Sequence, residues 1–218
     1  MAQQILIIGL GQFGMALAHA LSEKGAEVLA VDRNRNKVEE AAAFVAEAVA
    51  VDATDETELL RLQPADRDAV VCAIGDSSKE ASIICTALLR QMGVQHIISR
   101  ANDKMHKRIL QLVGAHEIIT PELEFGKRFA TKMLYRHILA DTTLGDDLML
   151  TEICLPPAMV GKTLIQLELP KKFDVIVAAI RRAGKLQRPN PAMPLSADDR
   201  LLIVSSEEAI ARLSKEIK

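Results

Sequence analysis

Short apolar runs alternate with amphipathic stretches through the first 120 residues. Residues 4–8 are apolar and read as a strand, and residues 15–24 carry small and large apolar positions at helical spacing up to Gly25. The same alternation predicts strands at 27–31, 47–51, 69–74, 96–99 and 116–119. Helices are expected at 34–43, 55–62, 78–92 and 103–112. In the helix at 78–92 the apolar period is carried by Ala81, Ile84, Cys85, Leu88 and Leu89. Gly75-Asp76 closes the fourth strand, and Gly114 follows the fifth helix. Continuous aliphatic strands joined by helices suit a parallel sheet covered on both faces.

The pattern changes after residue 120. Residues 122–140 read as one long helix behind Pro121, with an apolar face of Phe125, Phe129, Met133, Leu134 and Ile138. That face suits a subunit interface or a crossover. Residues 141–147 read as a polar joint containing Gly145. Strands follow at 148–155, 173–181, 185–187 and 200–204, with a short helix opened by Gly161-Lys162-Thr163-Leu164 and a terminal helix at 207–216. The expected class is α/β: a Rossmann-like doubly wound parallel sheet, then a small α+β regulatory domain. The domains are expected at 1–140, with the crossover helix at its end, and at 141–218.

Gly9, Gly11 and Gly14 form G-x-G-x-x-G between the first strand and the first helix, and Asp32 ends the next strand. This context points to a dinucleotide or nucleotide fold. Gly9 serves the turn, Gly11 the approach of a phosphate, and Gly14 close packing of helix on sheet. Exposed N–H groups at the helix start bind phosphate oxygens. Asp32 suits ribose hydroxyls and repels a 2′-phosphate. NAD, ATP, ADP and AMP share that half.

Composition narrows the chemistry. The chain has 218 residues, 49% of them hydrophobic and 3% aromatic. A formal charge of -2, with 27 basic and 29 acidic side chains, argues against nucleic acid as a partner. No apolar run is long enough to cross a membrane. Cys72, Cys85 and Cys154 are unpaired in spacing and read as buried thiols in a reducing compartment. The five histidines have no partners at useful spacing, and no metalloprotease, Walker or serine-elbow motif is present. No acid–base set for catalysis emerges. An NAD-dependent oxidoreductase and an NADH-sensing regulator are the alternative readings. Arg181, Arg182 and Arg188 read either as a solvated basic turn or as a small-anion site.

The order of motifs resembles the cytosolic regulatory subunits of Trk/Ktr-type potassium uptake systems. The matching stretches are Gly9-Leu10-Gly11-Gln12-Phe13-Gly14, residues 29–32, Asp52-Ala53-Thr54, residues 71–76, Arg100, and Thr120-Pro121-Glu122. In the second half they are Gly161-Lys162-Thr163-Leu164, Pro194-Leu195 and Asp198-Asp199-Arg200. The resemblance implies a non-enzymatic gating subunit with a potassium-conductance-regulating (RCK) domain. It implies ATP or ADP, and in some relatives NAD(H), as ligands. Asp32 and Arg33 would flank ribose and adenine, and Asp52, Ala53 and Thr54 would line the base pocket. Ala73 and Ile74 would face the nucleotide, and Arg100 would lie near the phosphates. Gln12 and Phe13 belong to the glycine loop. Glu122 would hold a divalent cation or make an interdomain contact. Cyclic di-AMP binds the second domain in some relatives, near positions equivalent to 180–182 and Pro191. The implied partner is a membrane-embedded potassium-translocating subunit, reached by a homodimer that builds a higher-order ring, commonly an octamer. The implied location is cytoplasmic, peripheral to the inner face of the cell membrane.

Some ATP-responsive relatives have Arg where this chain has Gln12. Glutamine supplies neither the charge nor the bidentate fork that grips a terminal phosphate. Calorimetric titration is therefore expected to give similar affinities for ATP and ADP; an ATP affinity far above that for ADP would overturn the expectation.

Overall fold

The computed structural model describes residues 2–75, 78–135, 137–145 and 147–216. By contacts the chain divides into two compact units, Met1–Glu124 and Phe125–Lys218. No described helix is long and apolar enough to cross a membrane.

Among the described residues, six parallel strands form the first sheet in the order β3-β2-β1-β4-β5-β6. They are β1 (Gln4–Ile8), β2 (Glu27–Asp32), β3 (Glu47–Ala50), β4 (Ala69–Cys72), β5 (Ile97–Arg100) and β6 (Glu117–Ile119). The intervening helices are α1 (Gln12–Glu23), α2 (Arg35–Ala41), α3 (Glu56–Arg61), α4 (Lys79–Gln91) and α5 (Lys104–Leu112). Strand alternation sends side chains to two cores. Leu6, Ile8, Leu29 and Val31 pack with Leu59, Cys85 and Leu89 on one face. Ile5, Ile7, Val28 and Ala30 pack with Ala18, Val38 and Ala41 on the other. The strand order reverses between β1 and β4, which opens a crevice at the carboxyl ends of those strands. Asp76 lies outside the described residues, so the break after Gly75 is described only to that glycine.

The second sheet is antiparallel, in the order β10-β9-β11-β8-β7. Its strands are β7 (Ile138–Gly145), β8 (Leu148–Cys154), β9 (Ile176–Arg182), β10 (Lys185–Gln187) and β11 (Arg200–Ser206). Helices α7 (Leu164–Leu167), α8 (Leu169–Phe173) and α9 (Glu207–Glu216) accompany it. Ile153, Leu201 and Ile203 pack with Leu169, Val175, Ile210 and Leu213. Ala183 and Gly184 both have positive φ, as a two-residue hairpin turn of matching twist requires.

Three expectations need correction. The helix read at 122–140 is α6 (Pro121–Leu134), and residues from Ile138 onward belong to β7. The residues read as a polar joint are mostly that strand: Asp141 pairs with Thr151 and Thr142 with Leu150. Ile138 satisfies the helical period, but it is buried opposite Ile153 in the sheet core. An edge strand needs only one bonded side and tolerates polar residues, so its sequence resembles a loop. The strand read from 173 begins at Ile176 instead, because Asp174 adopts a left-handed conformation (φ 60°) that ends α8.

Arg182 anchors the long loop before β11. Its Nε donates to Asp199 Oδ1 at 2.7 Å, and its Nη2 donates to Asp199 Oδ2 and to the Pro194 carbonyl. Ser196 N–H also donates to Asp199. The Arg182 guanidinium, then that N–H, hold the Asp199 carboxyl below the usual range. A carboxyl depressed in the folded state stabilises it above the unfolded value of about 3.9, and this contribution fades as pH falls through the folded value. Asp199→Asn should cost about 1–2 kcal/mol at pH 7, after discounting for the partly exposed arginine. Thermal melts should show the gap from wild type closing as pH falls below about 4; a gap that persists there would exclude this ion pair as its source.

Candidate functional site

The crevice between β1 and β4 is a cavity of about 580 Å³, within the usual size for a small-molecule pocket. Its floor is the turn from β1 into α1. Gly9 has φ 99°, and its N–H donates to Val31 O at 2.7 Å. A Cβ at Gly9 would lie 2.9 Å from the Ile74 nitrogen. Gly11 has no neighbour within 4 Å of its Cβ position and faces open space. Gly14 is different: a Cβ there would stand 1.9 Å from Gly9 O, and Gly14 is buried away from the cavity lining.

Helix α1 starts at Gly11 with no side-chain cap and no acid in its first turn. By contrast, Asn34, Asp55, Ser78 and Asp103 cap α2, α3, α4 and α5. The first N–H groups of α1 therefore keep their donor capacity at the positive end of the helix dipole, next to a cavity lined by Gly11, Gln12 and Phe13. An anionic group fits that end.

Asp32 ties two loops together. Its Oδ2 accepts from Leu10 N at 2.7 Å and its Oδ1 from Asn34 N at 2.8 Å, with Lys37 Nζ 3.6 Å from Oδ2. Each carboxylate oxygen retains a second acceptor site, enough for a pair of hydroxyls. Asp52 is similarly braced: its Oδ1 accepts from Thr54 N at 2.9 Å and Thr54 Oγ1 at 2.7 Å, and these bonds hold its carboxyl below the usual range. Asp52 N donates to Glu58 at 2.8 Å.

On the opposite wall, Ala73 N donates to Ile8 O at 2.8 Å, which carries Ala73 and Ile74 beside the glycine turn. Arg100 ends β5, with its guanidinium against Gly75: a Cβ on that glycine would meet Nη1 at 2.6 Å. Arg100 Nη2 donates to Glu122 Oε1 at 2.6 Å and Nε to Glu122 Oε2 at 3.3 Å.

The cavity gathers Gly9, Gly11, Gln12, Phe13, Asp32, Arg33, Asp52, Ala53, Thr54, Ala73, Ile74, Arg100 and Glu122; Gly14 supports it from behind. Asn34, Lys37, Ala81 and Ile84 also line it without having been singled out for it. Lys37 lies one turn into the helix after Asp32, a position that could have been flagged. Ala81 and Ile84 share a helical period with Cys85 and Leu89, but only the latter pair is buried in the core. No described histidine or cysteine lines the cavity.

Glu122 faces a guanidinium, and no group of three metal-binding side chains occurs among the described residues. In the second unit, Arg181 is bound to Glu152 at 2.8 Å and Arg182 to Asp199. Both arginines are thus engaged by carboxylates.

Residues 5–121 match the TrkA-N domain family and residues 150–218 the TrkA-C domain family. The chain is 36% identical over 216 residues to the Ktr system potassium uptake protein A of Vibrio alginolyticus, covering 99% of this chain and 98% of that protein. A solved structure of the GsuK channel bound to NAD shares the fold across 100% of this chain and 40% of that one, with a TM-score of 0.65 and 18% identity. The NAD(P)-binding domain of an exopolyphosphatase-related protein from Archaeoglobus fulgidus is similar over 60% of this chain and 96% of its own. There the TM-score is 0.52 and the identity 26%.

The two glycines make separable predictions. Gly14→Ala should destabilise the first unit by about 1–3 kcal/mol through overpacking. Gly11→Ala should cost about 1 kcal/mol or less, the difference between cap residues. Equal unfolding temperatures for the two variants would refute the packing role of Gly14.

Proposed function

Because the chain belongs to the family of potassium uptake proteins built from a TrkA-N domain followed by a TrkA-C domain, we propose that it is a nucleotide-responsive gating subunit. Its first domain takes an adenine nucleotide, and its partner is a membrane-embedded potassium-translocating subunit. The protein works from the cytoplasmic face of the membrane. The observation that carries this reading is the pairing of an uncapped α1 with Asp32 across one cavity. The phosphates meet the helix N-terminus, and Asp32 accepts from the ribose hydroxyls. Asp52 and Thr54 face the base.

The cavity's chemistry favours binding over catalysis. Asp32 and Asp52 accept backbone N–H groups, and Arg100 is paired with Glu122. Titratable groups held this way position a ligand rather than exchange protons with it. ADP, ATP and NAD(H) all carry the adenosine and phosphate portions that these groups fit. A divalent cation would have to arrive with the phosphates, because Glu122 supplies a single carboxylate.

Binding gates conductance only if it differs between two conformations. Helix α6 is the element suited to carry the difference. None of its residues is buried, and Phe125, Phe129, Met133 and Leu134 are at least half exposed. Phe125 and Phe129 stack at 5.8 Å. Such a face asks for a partner. A second copy of this chain forms the proposed homodimer, which repeats into a ring. The second domain, built on the antiparallel sheet, serves regulation and dimerisation in this scheme.

Asp32→Ala should weaken ADP binding at least tenfold, since the loss of even one charge-assisted hydrogen bond costs about 1.5–3 kcal/mol. The domain should remain folded by circular dichroism. Unchanged affinity in titration would overturn the ribose role. Potassium flux through the co-purified membrane partner should change on adding nucleotide, and should fail to respond with the variant.

A further inference from the structure

The Arg100–Glu122 pair has a consequence for the order of events in the cavity. Resting on the nucleotide reading above, we infer that Glu122 competes with the nucleotide's phosphates for Arg100. Binding then transfers the guanidinium from a carboxylate to a phosphate.

Charge motivates the exchange. The cavity is lined by the cations Arg33, Lys37 and Arg100 and by the anions Asp32, Asp52, Glu80 and Glu122. Acids therefore outnumber bases where a polyanion is to sit. Arg33 and Lys37 follow Asp32, on the ribose side. On the α4 and β5 side the cation is Arg100, and Glu122 neutralises it.

Geometry makes the two partners mutually exclusive. Nε and Nη2 form the fork that grips Glu122. The third nitrogen, Nη1, faces Gly75 and lies 2.6 Å from where a Cβ on that glycine would stand. The fork that fits a carboxylate also fits a phosphate, and one fork cannot serve both. The partners also differ in freedom. The Arg100 side chain is 11% exposed and that of Glu122 is 60% exposed. Glutamate can turn into water at small cost, while arginine stays in place.

The exchange has a mechanical result. Glu122 is the second residue of α6, and its bond to Arg100 ties that helix's first turn to the end of β5. Once phosphate takes the Arg100 fork and Glu122 turns away, the tie is gone. Phosphate is thus read as the loss of a constraint on α6.

The test is calorimetric titration of the full chain in EDTA, which removes any cation effect, with ADP and with adenosine. Glu122→Gln should tighten ADP about fivefold, the scale of a partly exposed ion pair, and leave adenosine unchanged. Glu122→Asp, which keeps the charge but shortens the reach, should act in the same direction and serves if the glutamine variant does not fold. In an Arg100→Gln background the tightening should vanish. Tightening that survives there would reduce Glu122 to simple repulsion and overturn the exchange. Unchanged or weakened ADP binding in Glu122→Gln would overturn it too, while leaving the nucleotide reading intact. A wild-type chain that binds no ADP would remove both.

Discussion

The cavity depends on how closely α1 approaches the turn before it. No side-chain atom fits between Gly14 and the Gly9 carbonyl. That contact lets α1 begin directly over the carboxyl end of β1. A β-carbon would push the helix outward and carry its uncapped N–H groups away from the crevice. Asp32 then fixes the lateral position, because it bonds the Leu10 N–H after β1 and the Asn34 N–H after β2. One residue thus braces the loops on which both halves of the site stand. Truncating it removes a brace as well as a ribose acceptor. For that reason the folded state must be checked whenever its binding role is measured.

Much of the first sheet was legible because both faces of its strands are buried. Apolar runs such as 4–8 and 27–31 have few other uses, and intervening helices enforce the parallel order. The glycine turn and Asp32 were legible because their spacing follows from that order. The resemblance to a family added Asp52, Ala53, Thr54, Ala73, Ile74, Arg100 and Glu122, which the fold gathers in one cavity. What stayed hidden depends on contacts distant in sequence. Ile138 satisfies both a helical and a strand pattern, and only pairing with Ile153 decides between them. Ala81 and Ile84 look like core on a helical wheel, yet they turn toward the crevice. The pairing of Arg100 with Glu122, 22 residues later, has no local signature at all.

The second unit follows a different logic. Its sheet is antiparallel, and its core is assembled from β7, β8, β9 and β11 with α7, α8 and α9. The loop before β11 lacks a regular ladder and is held by Arg182 and Asp199 instead. A buried carboxylate is tolerable there because a guanidinium and an N–H satisfy it. Arg182 is therefore poorly placed to serve a ligand as well. The same competition applies to Arg181 with Glu152. A basic pair in the sequence can look available for anions when the fold has already used it.

Arg100 is the instructive contrast to Arg182. Both are bidentate to a carboxylate, but the partners differ in burial. The Asp199 side chain is 1% exposed, so giving up its arginine would strand a buried charge. The Glu122 side chain is 60% exposed, so its release exposes nothing that water cannot satisfy. The first pair is therefore a structural tie and the second an exchangeable one, though their hydrogen bonds look alike. Exchange at Arg100 also occurs at the start of a helix whose apolar face lacks cover within the described chain. A ligand-dependent tie at one end of such a helix can bias how its exposed face meets a partner, without any change in the cores that hold the sheets together.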